Sequence, residues 1–140
     1  MAHSTPGVLD ANQEAFLRKQ KLAVLATGRM DGSPQVSQVI YDYDGTDLVI
    51  SIKSYTAKWK NILRQPRIAL LVHEGRKQLI LYGKARAIES DPERIEKTVR
   101  VFRRITDNPT FEADDGFVEA MNSQQRTVLC ITIDKAFMND

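Results

Sequence analysis

Leu48–Arg67 reads LVISIKSYTAKWKNILRQPR, and the rest of the chain is arranged around it. Leu48, Ile50 and Ile52 alternate with Val49, Ser51 and Lys53, which is the period of a strand. After Lys53 the period changes. Trp59, Ile62 and Leu63 fall at i, i+3 and i+4, one face of a short helix. Gln65-Pro66 stops that helix, because the residue before a proline is driven out of the α region. The stretch is therefore strand, polar turn, helix start. Hydroxyls (Ser51, Ser54, Thr56) and amines (Lys53, Lys58, Lys60) crowd the junction. A helix N-terminus carries unpaired N–H groups and partial positive charge, so it attracts phosphate. Lysines strengthen the attraction and hydroxyls add donors. Two readings stand here: a site for a phosphorylated ligand, and a capped, solvated start of a basic helix.

Working outward toward the N-terminus, Asp10 and Gln13 form a capping pair. It opens a short helix with Ala15 and Phe16 on its apolar face. Leu22 to Ala26 is apolar on both faces, a strand covered on both sides. Asp31-Gly32 with Pro34 makes a turn. QVSQVIYDYD (35–44) is a second strand, rich in β-branched and aromatic residues and interrupted by Ser37 and Gln38. Asp44-Gly45 turns the chain into the strand that contains Leu48, and such short loops imply an antiparallel meander.

Toward the C-terminus, RIALLVHE (67–74) is a fourth strand and KQLILYGKARAIE (77–89) a fifth. Leu79, Leu81, Gly83, Ala85 and Ala87 share one face of the fifth. Gly83 in mid-strand marks a bulge or a close approach of another backbone or a ligand. SDPE (90–93) predicts a helix start with a capping box, and Ile95, Val99, Phe102 and Thr106 form its apolar face. Asp114 to Gly116 starts another helix carrying Phe117, Val118 and Met121. RTVLCITI (126–133) is the last strand. The fold class is mainly β. Six strands, with one helix inserted before the fourth, predict a six-stranded antiparallel barrel, split or closed. The alternative is an open antiparallel sheet with helices on one face.

The chain is expected to form a single domain over 1–140, with a polar, flexible start at 1–8. A net charge of +2, with the bases spread along the sequence, argues against nucleic acid as a partner. Cys130 has no second cysteine to pair with, which fits a reducing, cytoplasmic setting. No cationic residue flanks it, so an inert buried thiol is expected. No apolar run approaches the roughly 18–20 residues of a membrane helix, and the start lacks a signal-peptide core. His3, His73 and Cys130 have no metal-ligand spacing. There is no G-x-S-x-G, no Walker loop and no G-x-G-x-x-G. An enzyme of this sequence would take its chemistry from a bound cofactor.

Three segments carry a resemblance. They are L-A-T-x-R-x-D-G-x-P-Q (25–35), Y-D-Y-D-G (41–45) and A-K-x-x-N-I-x-x-x-P-R (57–67). In this order and spacing the chain resembles the flavin-binding split-barrel family of pyridoxamine 5′-phosphate oxidase. Within it, the chain looks most like the group that uses the deazaflavin coenzyme F420. The resemblance covers about residues 10–90 and is more specific for the fold than for the cofactor. It implies a homodimer with cofactor at the subunit interface. It also implies phosphate contacts from Lys58 and Thr56, with Ser51, Lys53, Ser54 and Lys60 beside them. Gln38 and Val39 would border the tricyclic ring, and Gln78 would approach it, from the other subunit in one arrangement. The implied function is F420-dependent hydride transfer to an unsaturated organic small molecule. The alternatives are an FMN-binding flavin reductase or oxidase, and a cofactor- or haem-binding protein without turnover. Tyr41 and Tyr82 are candidate proton donors, and Lys60, Arg64 and Arg67 a candidate basic groove. Arg76 stands where relatives often carry an aromatic residue, and the short C-terminal region argues against the oxidase activity itself.

Overall fold

The computed structural model describes residues 7–139. In chain order the elements are α1 (Ala11–Lys19), β1 (Leu22–Gly28), β2 (Pro34–Tyr43), β3 (Leu48–Lys53), α2 (Ala57–Arg64), β4 (Arg67–Glu74), β5 (Lys77–Ile88), α3 (Glu93–Ile105), α4 (Asp115–Ser123) and β6 (Arg126–Asn139). The six strands close into one antiparallel barrel in the order β1-β2-β3-β6-β5-β4. Pairing of β1 with β4, through Val24↔Leu71 to Ala26↔Ala69, closes the ring and excludes the open sheet.

Burial follows from the strand period. Leu48, Ile50 and Ile52 point into the barrel with Leu25, Leu70, Leu81 and Leu129. The opposite face of β3 is covered as well: Val49 packs with Ile88, Val101, Val128 and Cys130 beneath α3. Burial and the charge of Asp47 raise the pKa of the Cys130 thiol, which keeps it protonated and inert. Gly83 does mark a bulge. The β5–β6 register shifts between Tyr82 and Gly83. A Cβ at Gly83 would lie 2.0 Å from the Thr132 carbonyl oxygen.

The capping pair of α1 forms as read, with reciprocal bonds between Asp10 and Gln13 of 2.8 and 2.9 Å. Asp114 likewise caps α4, accepting from the Phe117 N–H at 2.8 Å. Residues 1–6, and with them His3 and most of the expected flexible start, lie outside the described residues. Val8 and Leu9 pack against the barrel core.

Several local expectations are corrected. Leu63 is exposed, and Asn61 takes the inward place on α2. Its amide donates to Thr27 Oγ1 (3.1 Å) and Gln35 Oε1 (2.7 Å), so helix and barrel are joined by polar contacts. On α1 the buried pair is Phe16 and Leu17, and Ala15 is exposed. The capping box at Ser90 does not form: Pro92 occupies the cap position without a side-chain bond. Asp91 instead grips Arg94 through two bonds of 3.0 and 3.1 Å. The last strand runs on to Asn139, and its second half pairs with β5.

The inward face of α3 differs most from expectation. Of the expected set Val99 is buried, Ile95 and Phe102 are half-buried and Thr106 is exposed, while Arg94, Lys97, Thr98 and Val101 are buried beside Val99. Charged residues can be buried there because each meets a carboxylate. Lys97 faces Asp47 at 3.7 Å, and Arg100 bridges Asp42 (2.9 Å) and Asp44 (3.2 Å). The β2–β3 hairpin thus docks α3 electrostatically. No helix among the described residues is long and apolar enough to cross a membrane.

Candidate functional site

The β2–β3 ladder ends at Ile40↔Ser51, while β3 continues along β6 to Lys53↔Arg126. Beyond that point Gln38 and Val39 on one side face Ile52 and Lys53 on the other with no cross-strand pairing. The strand edge of Gln38 and Val39 is left available to a ligand, since unpaired main-chain groups demand a partner. A groove of about 430 Å³ opens in this gap. It is lined by Leu22, Gln38, Val39, Ile40, Ser51, Ile52, Lys53, Tyr55, Thr56, Lys58 and Arg126.

The floor of the groove meets the N-terminus of α2. Thr56 is the N-cap residue, yet its side chain makes no cap bond and no acidic residue sits in the first turn. Its hydroxyl donates instead to the Lys53 carbonyl at 2.8 Å, which fixes the tight turn between β3 and α2. The first N–H groups of α2 are therefore not satisfied by a side chain, the condition under which a helix start holds an anion. Between Asp47 and Glu74 the sequence has no carboxylate at all, but it has Lys53, Lys58, Lys60, Arg64 and Arg67. Among the described residues no ion pair involves Lys53, Lys58 or Arg126. Positive charge here is not neutralised by any carboxylate among the described residues.

Of the residues singled out from sequence, Gln38, Val39, Ser51, Lys53, Thr56 and Lys58 come together in this groove. Val39 is buried with its side chain in the core, so only its main chain can border a ligand. Ser51 is buried and its hydroxyl lies 3.2 Å from Arg126 Nη1. Ser54, Lys60 and Gln78 do not line the groove of their own chain. Ser54 sits in the turn, its N–H donating to the Gln125 carbonyl at 2.8 Å. Lys60 is exposed on α2. Gln78 lies on the far side of the barrel, opposite His73 and Asn139.

Lys60, Arg64 and Arg67 do not form one groove. Arg64 is turned back onto the Gly28 carbonyl (2.6 Å), and Arg67 lines a separate recess with Tyr82 and Phe137. Tyr41 cannot serve as a proton donor. It is buried, its hydroxyl donates to the Leu17 carbonyl at 2.6 Å, and burial pushes its pKa upward. Tyr82 is exposed on another wall, edge-on to Phe137. Five groove residues escaped the sequence reading: the apolar Leu22, Ile40 and Ile52, Tyr55 as an exposed ring at the mouth, and Arg126. Arg126 lies more than 60 positions from the rest in sequence, and only the β3–β6 register brings it beside Lys53.

A second recess of about 400 Å³ adjoins the first, sharing Leu22 and Gln38 and bringing His73 near the same strand edge. A larger one, about 630 Å³, lies between the end of α1 and α3. Most of its cations are matched by carboxylates: Arg18 with Glu14, Lys19 with Glu74, Lys21 with Asp107, Arg100 with Asp42 and Asp44, and Arg103 with Glu112, while Arg104 lies against main-chain carbonyls of α1 and its end. Size alone does not make it an anion site. Among the described residues no cluster of histidine, cysteine and carboxylates could hold a metal ion.

A family model described as pyridoxamine 5′-phosphate oxidase matches residues 9–140. Among solved structures, a conserved hypothetical protein from Mycobacterium tuberculosis aligns over 98% of this chain and 89% of its own, at 20% identity and a TM-score of 0.78. A protein described as an F420 reductase aligns over 92% and 98%, at 22% identity and a TM-score of 0.71. A haem storage protein from Vibrio cholerae aligns over 92% and 93%, at 18% identity and a TM-score of 0.64. At these identities the structural likenesses establish a shared fold.

Proposed function

The chain belongs to the pyridoxamine 5′-phosphate oxidase family, and from that premise we propose that it is a coenzyme F420-dependent oxidoreductase acting on an unsaturated organic small molecule in the cytoplasm. The observation that carries the proposal is the groove at the uncapped start of α2, where Lys53, Lys58 and Arg126 stand without carboxylate partners among the described residues. A phosphate-bearing cofactor supplies the missing negative charge. The sequence markers and the neighbour described as an F420 reductase favour the deazaflavin. Reduced F420, when bound, supplies a hydride. The chain's own residues do the rest. Lys58, Lys53 and the α2 N–H groups hold the phosphate, and Thr56 keeps the turn in shape. The Gln38–Val39 edge orients the ring, and Leu22 and Ile40 exclude water beside it.

The partner in this proposal is a second copy of the chain. The register places Val24, Leu71, Ile80 and Phe137 in one row across β1, β4, β5 and β6. Ala26, Ala69 and Tyr82 form the next row. Val36, Leu22, Tyr82 and Phe137 are exposed on this outer face, an apolar surface of the kind that marks an interface. Gln78 sits in the same face, where a two-fold partner brings it toward the other groove. Light scattering of Phe137→Asp is expected to give a monomer from a dimeric parent. A parent that is monomeric and still binds cofactor contradicts the shared site.

FMN is the second reading, because it too joins a tricyclic ring to a phosphate and the cation set accepts either. Titration of the apo protein, followed by Trp59 fluorescence, separates them. Tight binding of F420 with weak binding of FMN is expected. The reverse result moves the protein to the flavin branch. Binding of neither removes the oxidoreductase reading and leaves the fold.

A further inference from the structure

We infer that Arg126 is an anion-holding residue of this groove, its guanidinium gripping the phosphate of the bound ligand from β6 while Lys53 and Lys58 approach it from β3 and α2. The ligand's identity rests on the reading above; the anion-holding role does not. The argument is a comparison within the molecule. Arg94, Arg100 and Arg103 are all partly or largely buried, and each is neutralised by a carboxylate. Among the described residues Arg104 meets no carboxylate but lies against the carbonyls of Leu17, Arg18 and Gln20 at the end of α1, where the helix dipole is negative. Arg126 has neither compensation among the described residues. Its Nε donates to Gln124 Oε1 at 2.9 Å, its Nη1 to Ser51 Oγ at 3.2 Å, and its Cζ lies 5.3 Å from the Phe102 ring centroid. All three partners are neutral.

Removing a cation from water against neutral partners is costly, and burial lowers the pKa of Arg126 in consequence. The same three contacts hold the guanidinium in one orientation. No bond to Nη2 is formed within the described residues, and the side chain lines the groove. A pre-oriented, unneutralised fork facing two lysines suits a tetrahedral oxyanion better than a planar carboxylate held by a single amine.

The test compares the parent with Arg126→Met, Arg126→Lys and Lys84→Met. Lys84 is an exposed cation on β5, outside the groove. Each protein is titrated with F420, FMN and inorganic pyrophosphate over a range of salt. The Arg126 side-chain N–H signal is followed by NMR in the parent. Arg126→Met is expected to lose about tenfold or more in affinity, with a shallower salt dependence, because a charge-assisted contact is lost. Arg126→Lys keeps the salt dependence, Lys84→Met binds as the parent does, and the Arg126 signal moves on binding. Thermal midpoints check that each variant is folded. Parent-like affinity and salt dependence in a folded Arg126→Met overturn the inference and leave the cofactor reading standing. Binding of pyrophosphate alone, lost in Arg126→Met, supports the inference and overturns the cofactor reading. A parent that binds none of the three overturns both.

Discussion

Gly83→Ala is expected to destabilise the protein by about 3 kcal/mol or more, a loss at the upper end of what added bulk costs in a packed interior. The reason is local and steric. A Cβ at position 83 would sit 2.0 Å from the Thr132 carbonyl oxygen and 3.2 Å from the Ile133 Cα. Both are main-chain atoms of β6, so no side-chain rotation relieves the clash. Relief requires β6 to move, and β6 is paired with β5 from Gln78↔Asn139 to Ile88↔Val128. The bulge beside Tyr82 also sets which residues of β5 and β6 face outward, so the apolar face would be disturbed too. Gly28 is the control. It has no atom within 4 Å of a built Cβ and no positive φ, so Gly28→Ala should be within about 0.5 kcal/mol of neutral. Urea unfolding of both variants checks the contrast. Equal midpoints would mean that the two strands are not held this close.

The barrel was legible because its strands are buried by alternation, and alternation is a local property. β3 shows both halves of this: the alternation of Leu48, Ile50 and Ile52 with Val49, Ser51 and Lys53 marks a strand, and it is one, while the cover over Val49 and Ser51 on its second face comes from elsewhere in the fold. Gly83 was legible for the same reason, as a residue with no side chain in a run of large ones. The inward face of α3 was not. Arg94, Lys97 and Arg100 look like a solvated stripe until Asp91, Asp47, Asp42 and Asp44 are placed beside them. Three of those carboxylates come from the β2–β3 hairpin, about fifty residues earlier, and periodicity within a helix carries no trace of them. Arg126 was missed likewise: it begins a strand whose register, not whose sequence, sets it against Lys53. The junction of β3 and α2 lies between these cases. Its strand-to-helix change and its lysines are contiguous and could be read. The absence of a cap on α2 could not, because Thr56 has a good capping side chain that bonds backward to Lys53.

That uncapped junction gives the second large effect. Lys58→Ala is expected to weaken cofactor binding by about tenfold or more, since a charge-assisted contact contributes roughly 1.5–3 kcal/mol. Lys53→Ala with Lys58→Ala should weaken it by about a hundredfold or more. The two losses will not be strictly additive, because both amines act on one anion and the remaining cation can shift toward it. Stability should respond in the opposite sense or not at all. Neither lysine has a carboxylate partner within the described residues, so no ion pair is broken, and mutual repulsion with Arg126 is relieved. This separation between a large loss of binding and an unchanged melting temperature distinguishes a ligand site from a solvated basic helix start. Salt sharpens it: raising ionic strength should weaken the parent markedly and the double variant little, because screening acts on charges that the variant no longer has. If the folded double variant binds F420 and FMN with the parent's affinity, the phosphate lies elsewhere and the start of α2 is only a basic surface.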